Sequence, residues 1–237
     1  MLHILDRYGA LLAEVDAWFR RCMEAFPDDI RCNAGCSDCC RGLFDITLTD
    51  ALFLRLGFAR LPRELQESVR KKAAARLAEM ERLWPELAPP FVLNDRPEEE
   101  WEQLMPDDDE TPCVLLGDDG RCLVYEHRPM TCRLHGLPLI DPDGTLLHDE
   151  WCTLNFTEGS PVELPGLRAE FTRLFQEEVL LFHDVVTKLF KRDVRELDTF
   201  IPLAVLFDAE RFDWEEWVER FVAAGEKAAA LNRQERS

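Results

Sequence analysis

Nine cysteines occur in this chain of 237 residues, and eight of them fall into two groups whose spacing suits thiolate chemistry. The first group is Cys32, Cys36, Cys39 and Cys40; the second is Cys113, Cys122, Cys132 and Cys152. Thiolates three or four residues apart on a tight turn can converge on one metal centre, and Gly35 lets the backbone bend there. Cys39 and Cys40 are adjacent, and consecutive side chains ordinarily point apart, so both are not expected on one tetrahedral ion. A polynuclear centre, two metals, or one ligand beside one bystander would each accommodate the pair. Cys22 lies on an apolar helical stripe and reads as a buried structural thiol. In a reducing compartment, cysteines segregated in this way point to metal or redox chemistry before disulfides.

Charge near these cysteines is positive in a chain that is otherwise acidic. Arg31, Arg41, Arg121 and Arg133 directly adjoin Cys32, Cys40, Cys122 and Cys132, and Arg128 lies between the last two. Guanidinium can donate several hydrogen bonds to thiolate or sulfide and keeps its proton throughout. His127 and His135 bracket Cys132 and could replace a cysteine, although they read as structural histidines. No phosphate-binding Gly-Lys-Ser/Thr loop, His-Glu-x-x-His or Gly-x-Ser-x-Gly occurs, and carboxylates are too numerous for one pair to stand out.

The elements that must position these thiols can be read from periodicity. Residues 2–26 carry Ile4, Tyr8, Leu11, Leu12, Val15, Trp18, Phe19 and Cys22 on one helical face, ended by Pro27-Asp28-Asp29. The stretch 32–42 should be an irregular loop. Further helices are expected after Thr49 and from Pro62. Hairpins are expected around Gly117-Asp118-Asp119-Gly120 and Asp141-Pro142-Asp143-Gly144. Pro129 should open a short helix whose amides face Cys132. From Pro165, a helix should bury Leu167, Phe171, Leu174, Phe175, Val179, Phe182, Val186 and Leu189. A last helix should open at Asp213, with Glu216 three residues on. The expected fold is α+β and mostly helical, a small loop-rich cysteine core with short β-hairpins packed between flanking helices. The expected organisation is an N-terminal helix at 1–26, a metal-binding domain at 27–158 and a helical extension at 159–237.

The residues Cys32-Asn-Ala-Gly-Cys36-Ser-Asp-Cys39-Cys40, Pro112-Cys113-Val-Leu, Gly120-Arg-Cys122-Leu-Val-Tyr125-Glu-His-Arg128-Pro129-Met-Thr-Cys132-Arg133 and Cys152 together form a recognisable pattern. It resembles the YkgJ-type CxxCxxCC cysteine-cluster family, whose members are described as zinc- or iron-chelating. The first gap here is three residues, where the family's nickname has two. The resemblance implies that all eight cysteines are metal ligands and that Tyr125, Arg128 and Pro129 support them. Flagellin lysine methylases look like distant relatives with a similar cluster, reported there as iron–sulfur. That likeness tilts the expected cofactor towards an iron–sulfur cluster over zinc. It carries the methylase activity only weakly, because no Gly-x-Gly nucleotide loop is present. Two Zn²⁺ on eight thiolates leave a formal charge of about −4, whereas one [4Fe–4S]²⁺ on four thiolates leaves about −2 and frees four cysteines.

Composition bounds the rest. The 28 basic and 47 acidic residues give a net charge of −19, which repels phosphate backbones and anionic lipid, so neither nucleic acid nor a membrane surface is an expected partner. Twelve acids against Arg96 alone lie in 85–120, which reads as a solvated, partly mobile loop and as the candidate surface for a basic protein partner. Charge at Asp6 and Arg7 comes too early for a signal peptide, and the uncharged run 199–207 is too short to span a bilayer, so a cytoplasmic protein is expected. The readings in play are a cluster-bearing metal protein, a zinc protein or metal carrier, and a cluster-assisted modifying enzyme.

Overall fold

The computed structural model describes residues 1–33, 35–106, 108–191, 194–208 and 212–221. Its elements follow the periodicity closely. The first helix, α1, spans Leu2–Ala25 and buries Leu5, Tyr8, Leu11, Leu12, Val15, Trp18 and Cys22 at helical spacing. A short strand, β1 (Asp45–Thr47), leads into α2 (Leu48–Phe58). Thr47 caps α2 by accepting the Asp50 N–H at 3.1 Å, and the Asp50 carboxyl accepts back from the Thr47 amide, closing a capping box. Pro62 caps α3 (Arg63–Leu83), and a single turn, α4 (Glu98–Trp101), follows. Then come α5 (Met130–Leu134), β2 (Leu139–Ile140) and β3 (Leu146–His148), the last two forming the expected second hairpin. The long α6 (Phe171–Phe190), β4 (Asp198–Phe200) and α7 (Ile201–Leu206) complete the named elements. Residues 214–221 are helical, and the Glu216 N–H donates to Asp213 Oδ1 at 3.1 Å, as the capping pattern predicts. The part of the expected extension at 222–237 lies outside the described residues.

The fold is mostly helical α+β, with only two-stranded antiparallel sheets. In one of them β1 pairs with β4 in register Asp45↔Phe200 to Thr47↔Asp198. Three apolar cores lie beneath. One joins α1 and α6 to Leu137, Ile140 and Leu167. A second lies under α2, α3 and α7 and includes Val114, Leu115 and Val124. The third gathers Met80, Trp84, Phe182, Phe190, Trp214 and Trp217. Among the described residues no helix is long and apolar enough to cross a membrane.

Three expectations need correcting. The segment 85–120 is not a solvated loop: Leu87, Phe91, Val92, Leu93, Trp101 and Leu104 are buried in the third core. Glu86, Glu98, Glu99, Glu100 and Glu102 are exposed, and Asp109 turns in to pair with Arg76. Arg96 stacks on Trp84 while pairing with Glu86 and Glu100. Charge density hid an apolar inner face. The turn at 117–120 joins no strand ladder, only a bridge between Leu116 and Cys122. On α6, Val179 is 63% exposed, while Glu178 turns inward and accepts the Tyr8 hydroxyl at 3.3 Å.

That hydroxyl also donates to Asp50 Oδ1 at 2.7 Å, so one proton donor bridges acids from α2 and α6. Burial, with repulsion from Asp50, pushes the Glu178 carboxyl up to about 8. Burial likewise pushes Asp50 and Asp198 up to about 6. Each therefore holds its proton more tightly folded than unfolded. Their stabilising contribution is full below about pH 4 and is lost as pH rises through the folded values. Between about pH 6 and pH 9 the urea midpoint of the wild type should fall more steeply than that of Glu178→Gln, which has nothing to titrate at that position. Equal slopes would contradict the burial of this carboxyl. Trp18, against Phe171 at 4.8 Å and bonded through Nε1 to the Leu167 carbonyl at 2.7 Å, anchors α1. Trp18→Ala should cost about 3–5 kcal/mol in the same measurement.

Candidate metal centre

The cysteines are placed by turns, and the turns by backbone bonds to one another. The Cys36 N–H donates to the Asn33 carbonyl at 3.0 Å and the Cys40 N–H to the Ser37 carbonyl at 2.9 Å, so each of these cysteines is fixed by a local backbone bond. Beyond them 40–42 clasps 111–113: Cys113 N–H reaches the Cys40 carbonyl at 2.8 Å and Gly42 N–H reaches Thr111 at 2.8 Å. The two sequence groups are thus stitched together at Cys40 and Cys113. Gly120 has φ +76° and a Cβ there would lie 3.1 Å from the Gly35 carbonyl, so the second turn rests directly on the first.

Instead of a ladder, the Cys113–Val124 stretch turns amides towards sulfur. The Leu115 and Val124 amides lie near the Cys113 and Cys122 thiols, two residues back in each case, and lower their proton affinity. Such contacts favour the thiolate and partly offset burial.

Cys32 and Cys152 are held through Asn155, which is 1% exposed. Its Oδ1 accepts the Arg31 N–H at 2.8 Å, and its Nδ2 donates to the Gly136 carbonyl at 2.8 Å and to Cys32 Sγ at 3.4 Å. Cys152 N–H also reaches the Gly136 carbonyl, at 3.3 Å. Gly136 has φ +107°, and a Cβ there would sit 3.6 Å from Cys32 Sγ.

Cys132 comes from α5, opened by Pro129 as expected. Its first amide, of Met130, donates to Asp50 Oδ1 at 2.9 Å. Positive charge comes from side chains. Arg133, 4% exposed, donates to the carbonyls of Arg128 at 3.0 Å and Glu126 at 2.9 Å, and pairs with Asp16 of α1. Arg128 takes the other Asp16 oxygen at 3.0 Å and covers the Tyr125 ring at 3.9 Å. Both guanidiniums favour the Cys122 thiolate, and Arg128 also favours that of Cys39. Arg41 turns outward to Glu110.

All nine cysteines are free. Cys22 is fully buried, its thiol pushed up to about 11 by burial, with Sγ 3.8 Å from the Gly166 carbonyl. The other eight are partly exposed. Burial raises Cys32, Cys113, Cys122 and Cys132, with Cys113 reaching about 11. Mutual repulsion maps the neighbours. Cys32 feels Cys36, Cys152 and Cys39; Cys132 feels Cys113, Cys122 and Cys39. Cys39 therefore lies in reach of both sets. Cys32 packs on the α1/α6 core, whereas Cys113, Cys122 and Cys132 pack on the core under α2, α3 and α7.

The adjacent pair departs from expectation. Cys39 and Cys40 do not point apart: their thiols are within hydrogen-bond reach, which raises Cys39. The turn closed by Ser37 curls the chain enough to bring them together. His127 stacks on Phe53 at 4.9 Å, and His135 meets the Phe44 ring edge-on at 6.0 Å, both as structural histidines. Among the described residues, no three His, Cys, Asp or Glu side chains share the coordination shell of a single ion.

Sequence reasoning missed Asp16 and Asn155. Asp16 carries no signal beyond its place beside an apolar stripe, and Asn155 only its position three residues after Cys152. Removing the shared carboxylate in Asp16→Ala leaves Arg133 buried without its counter-charge. A loss of about 3 kcal/mol in urea denaturation is expected, with Asp16→Asn losing less.

A family model described as "CxxCxxCC: Putative zinc- or iron-chelating domain" matches residues 31–153. No curated protein matches the chain significantly, and no solved structure does.

Proposed function

The chain belongs to the CxxCxxCC family, and from that footing we propose that it is a thiolate-ligated metal protein holding an iron–sulfur centre. The observation that carries this reading is Cys39, which acts on Cys32 of one group and on Cys132 of the other, with Cys40 beside it. The pair can complete both, giving Cys32, Cys36 and Cys152 a fourth partner and Cys113, Cys122 and Cys132 another.

The donor chemistry fits a metal. Eight partly buried free thiols repel one another once ionised, and a cation removes that cost. Amides from Leu115 and Val124 and the Asn155 Nδ2 already aim at three of the sulfurs. Hydrogen bonds of this kind are among the levers that set the properties of sulfur-ligated centres. Cys39 favours iron–sulfur over zinc, because it neighbours thiols of both groups and a polynuclear cluster can draw ligands from both, whereas one zinc needs its four in a single shell. When bound, such a centre supplies electron transfer or activation of a substrate. The chain's own part is to gather the thiols, orient them through Asn155 and Gly136, and place Arg128 and Arg133 beside them.

Anaerobic purification followed by visible spectroscopy and iron, zinc and acid-labile sulfide analysis tests this. Iron with matching sulfide is expected. A colourless protein with about two zinc per chain would overturn the iron–sulfur reading, and absence of both metals would overturn metal binding itself. Cys36→Ser and Cys132→Ser should each lose metal and stability together, because binding and folding are coupled. Cys22→Ser should keep its full metal content.

A further inference from the structure

The thiol chemistry leaves a sizeable cavity unused. About 570 Å³ opens between β1, α5, α6 and the β2–β3 hairpin, within the range typical of small-molecule sites. It shares a wall with the cysteine core through Thr131, next to Cys132, and Gly136, next to Cys32 Sγ. Its character is two-sided. Met130, Leu137, Leu139 and Phe175 supply apolar wall, while Asp45, Asp50, Glu178 and Asp198 line the other side.

We propose that this cavity binds a small organic cation, a primary amine on an apolar stem, with the ammonium among Asp50, Glu178 and Asp198 and the stem along Met130 and Phe175. Three observations carry the assignment. No lysine or arginine is among the residues lining the cavity, and the nearby Arg133 is committed to Asp16 and two carbonyls. Among the described residues Glu178 has only the Tyr8 hydroxyl, at 3.3 Å and shared with Asp50 at 2.7 Å. The Met130 amide and Asn94 serve Asp50 and Asp198, so three neighbouring acids leave carboxylate oxygens for a further donor. The volume is many times that of one water or ion, about 30 Å³ for water, and among the described residues no three donors form a metal shell. A bare cation would leave the apolar wall uncovered; an amine with a stem meets both halves. The raised carboxyls of Asp50, Glu178 and Asp198 agree with this geometry, since a cation among them would relieve their repulsion.

The inference stands on the cavity and holds for either metal. Calorimetry on the as-isolated, full-length protein tests it with hexylamine, 1-hexanol and hexanoate as probes, metal content being measured on the same samples. Hexylamine should bind at least about tenfold tighter than hexanol, with hexanoate weakest. Glu178→Gln and Asp198→Asn should each weaken hexylamine about tenfold while leaving metal content and hexanol binding unchanged. Equal binding of amine and alcohol, or unchanged amine affinity in both variants, would overturn the assignment. Competition by Mn²⁺ alone, lost in Glu178→Gln, would also overturn it by making this a metal site.

Discussion

Arg133 carries a positive charge into a nearly solvent-free position, and the surrounding architecture is arranged around satisfying it. A buried guanidinium without partners costs several kcal/mol, so its donors must all be used. Asp16 fixes α1 to it, and the carbonyls of Glu126 and Arg128 wrap the preceding chain around it. Its neighbour in sequence is Cys132, and its field acts on Cys122 and on Asp50. One charge therefore ties the first helix, the capping box of α2 and the second cysteine group into a single arrangement.

The thiols sit in a balance that this charge helps to hold. Burial raises the proton affinity of Cys113, Cys122 and Cys132, and crowding raises it further at Cys132 and Cys113. Against that act the amides of Leu115 and Val124 and the two arginines over Cys122. At the second group the nearby amides and the two arginines already favour the thiolate forms that a cation would hold. Little reorganisation is then asked of the second group when a cation arrives, whereas Cys36 and Cys40 are held chiefly through local bonds.

Much of this was legible in the sequence, for identifiable reasons. Helix α1 and its buried Cys22 follow from a stripe repeated over six turns, and the metal candidates from residue type and spacing alone. What escaped prediction depended on tertiary partners. Glu178 displaced Val179 from the buried face because Tyr8 offers it a hydroxyl, and periodicity carries no information about a partner on another helix. The segment 85–120 looked solvated because twelve acids face a single Arg and prolines break its periodicity, yet Trp101 and Leu104 found a core built by α6 and the residues after it. Cys39 and Cys40 were expected to diverge because a generic extended chain was assumed, and a tight turn removes that assumption.

The acid-lined cavity and the cysteine core are linked by the same few residues, and that sharing limits how independent they can be. Asp50 accepts from Tyr8, from the Met130 amide and from its own helix cap, so it positions the start of α5. That helix carries Cys132 two residues later, and beyond it the Gly136 carbonyl accepts from Asn155, which also donates to Cys32 Sγ. A change in the charge of Asp50 alters the acceptor that holds the Met130 amide, and through five residues of helix it bears on the sulfur of Cys132. The coupling is local and covalent in part, with no long chain of contacts to invoke. Whatever occupies the cavity therefore bears on the same short helix that presents a metal-ligand candidate, which makes α5 the element through which the two sites meet.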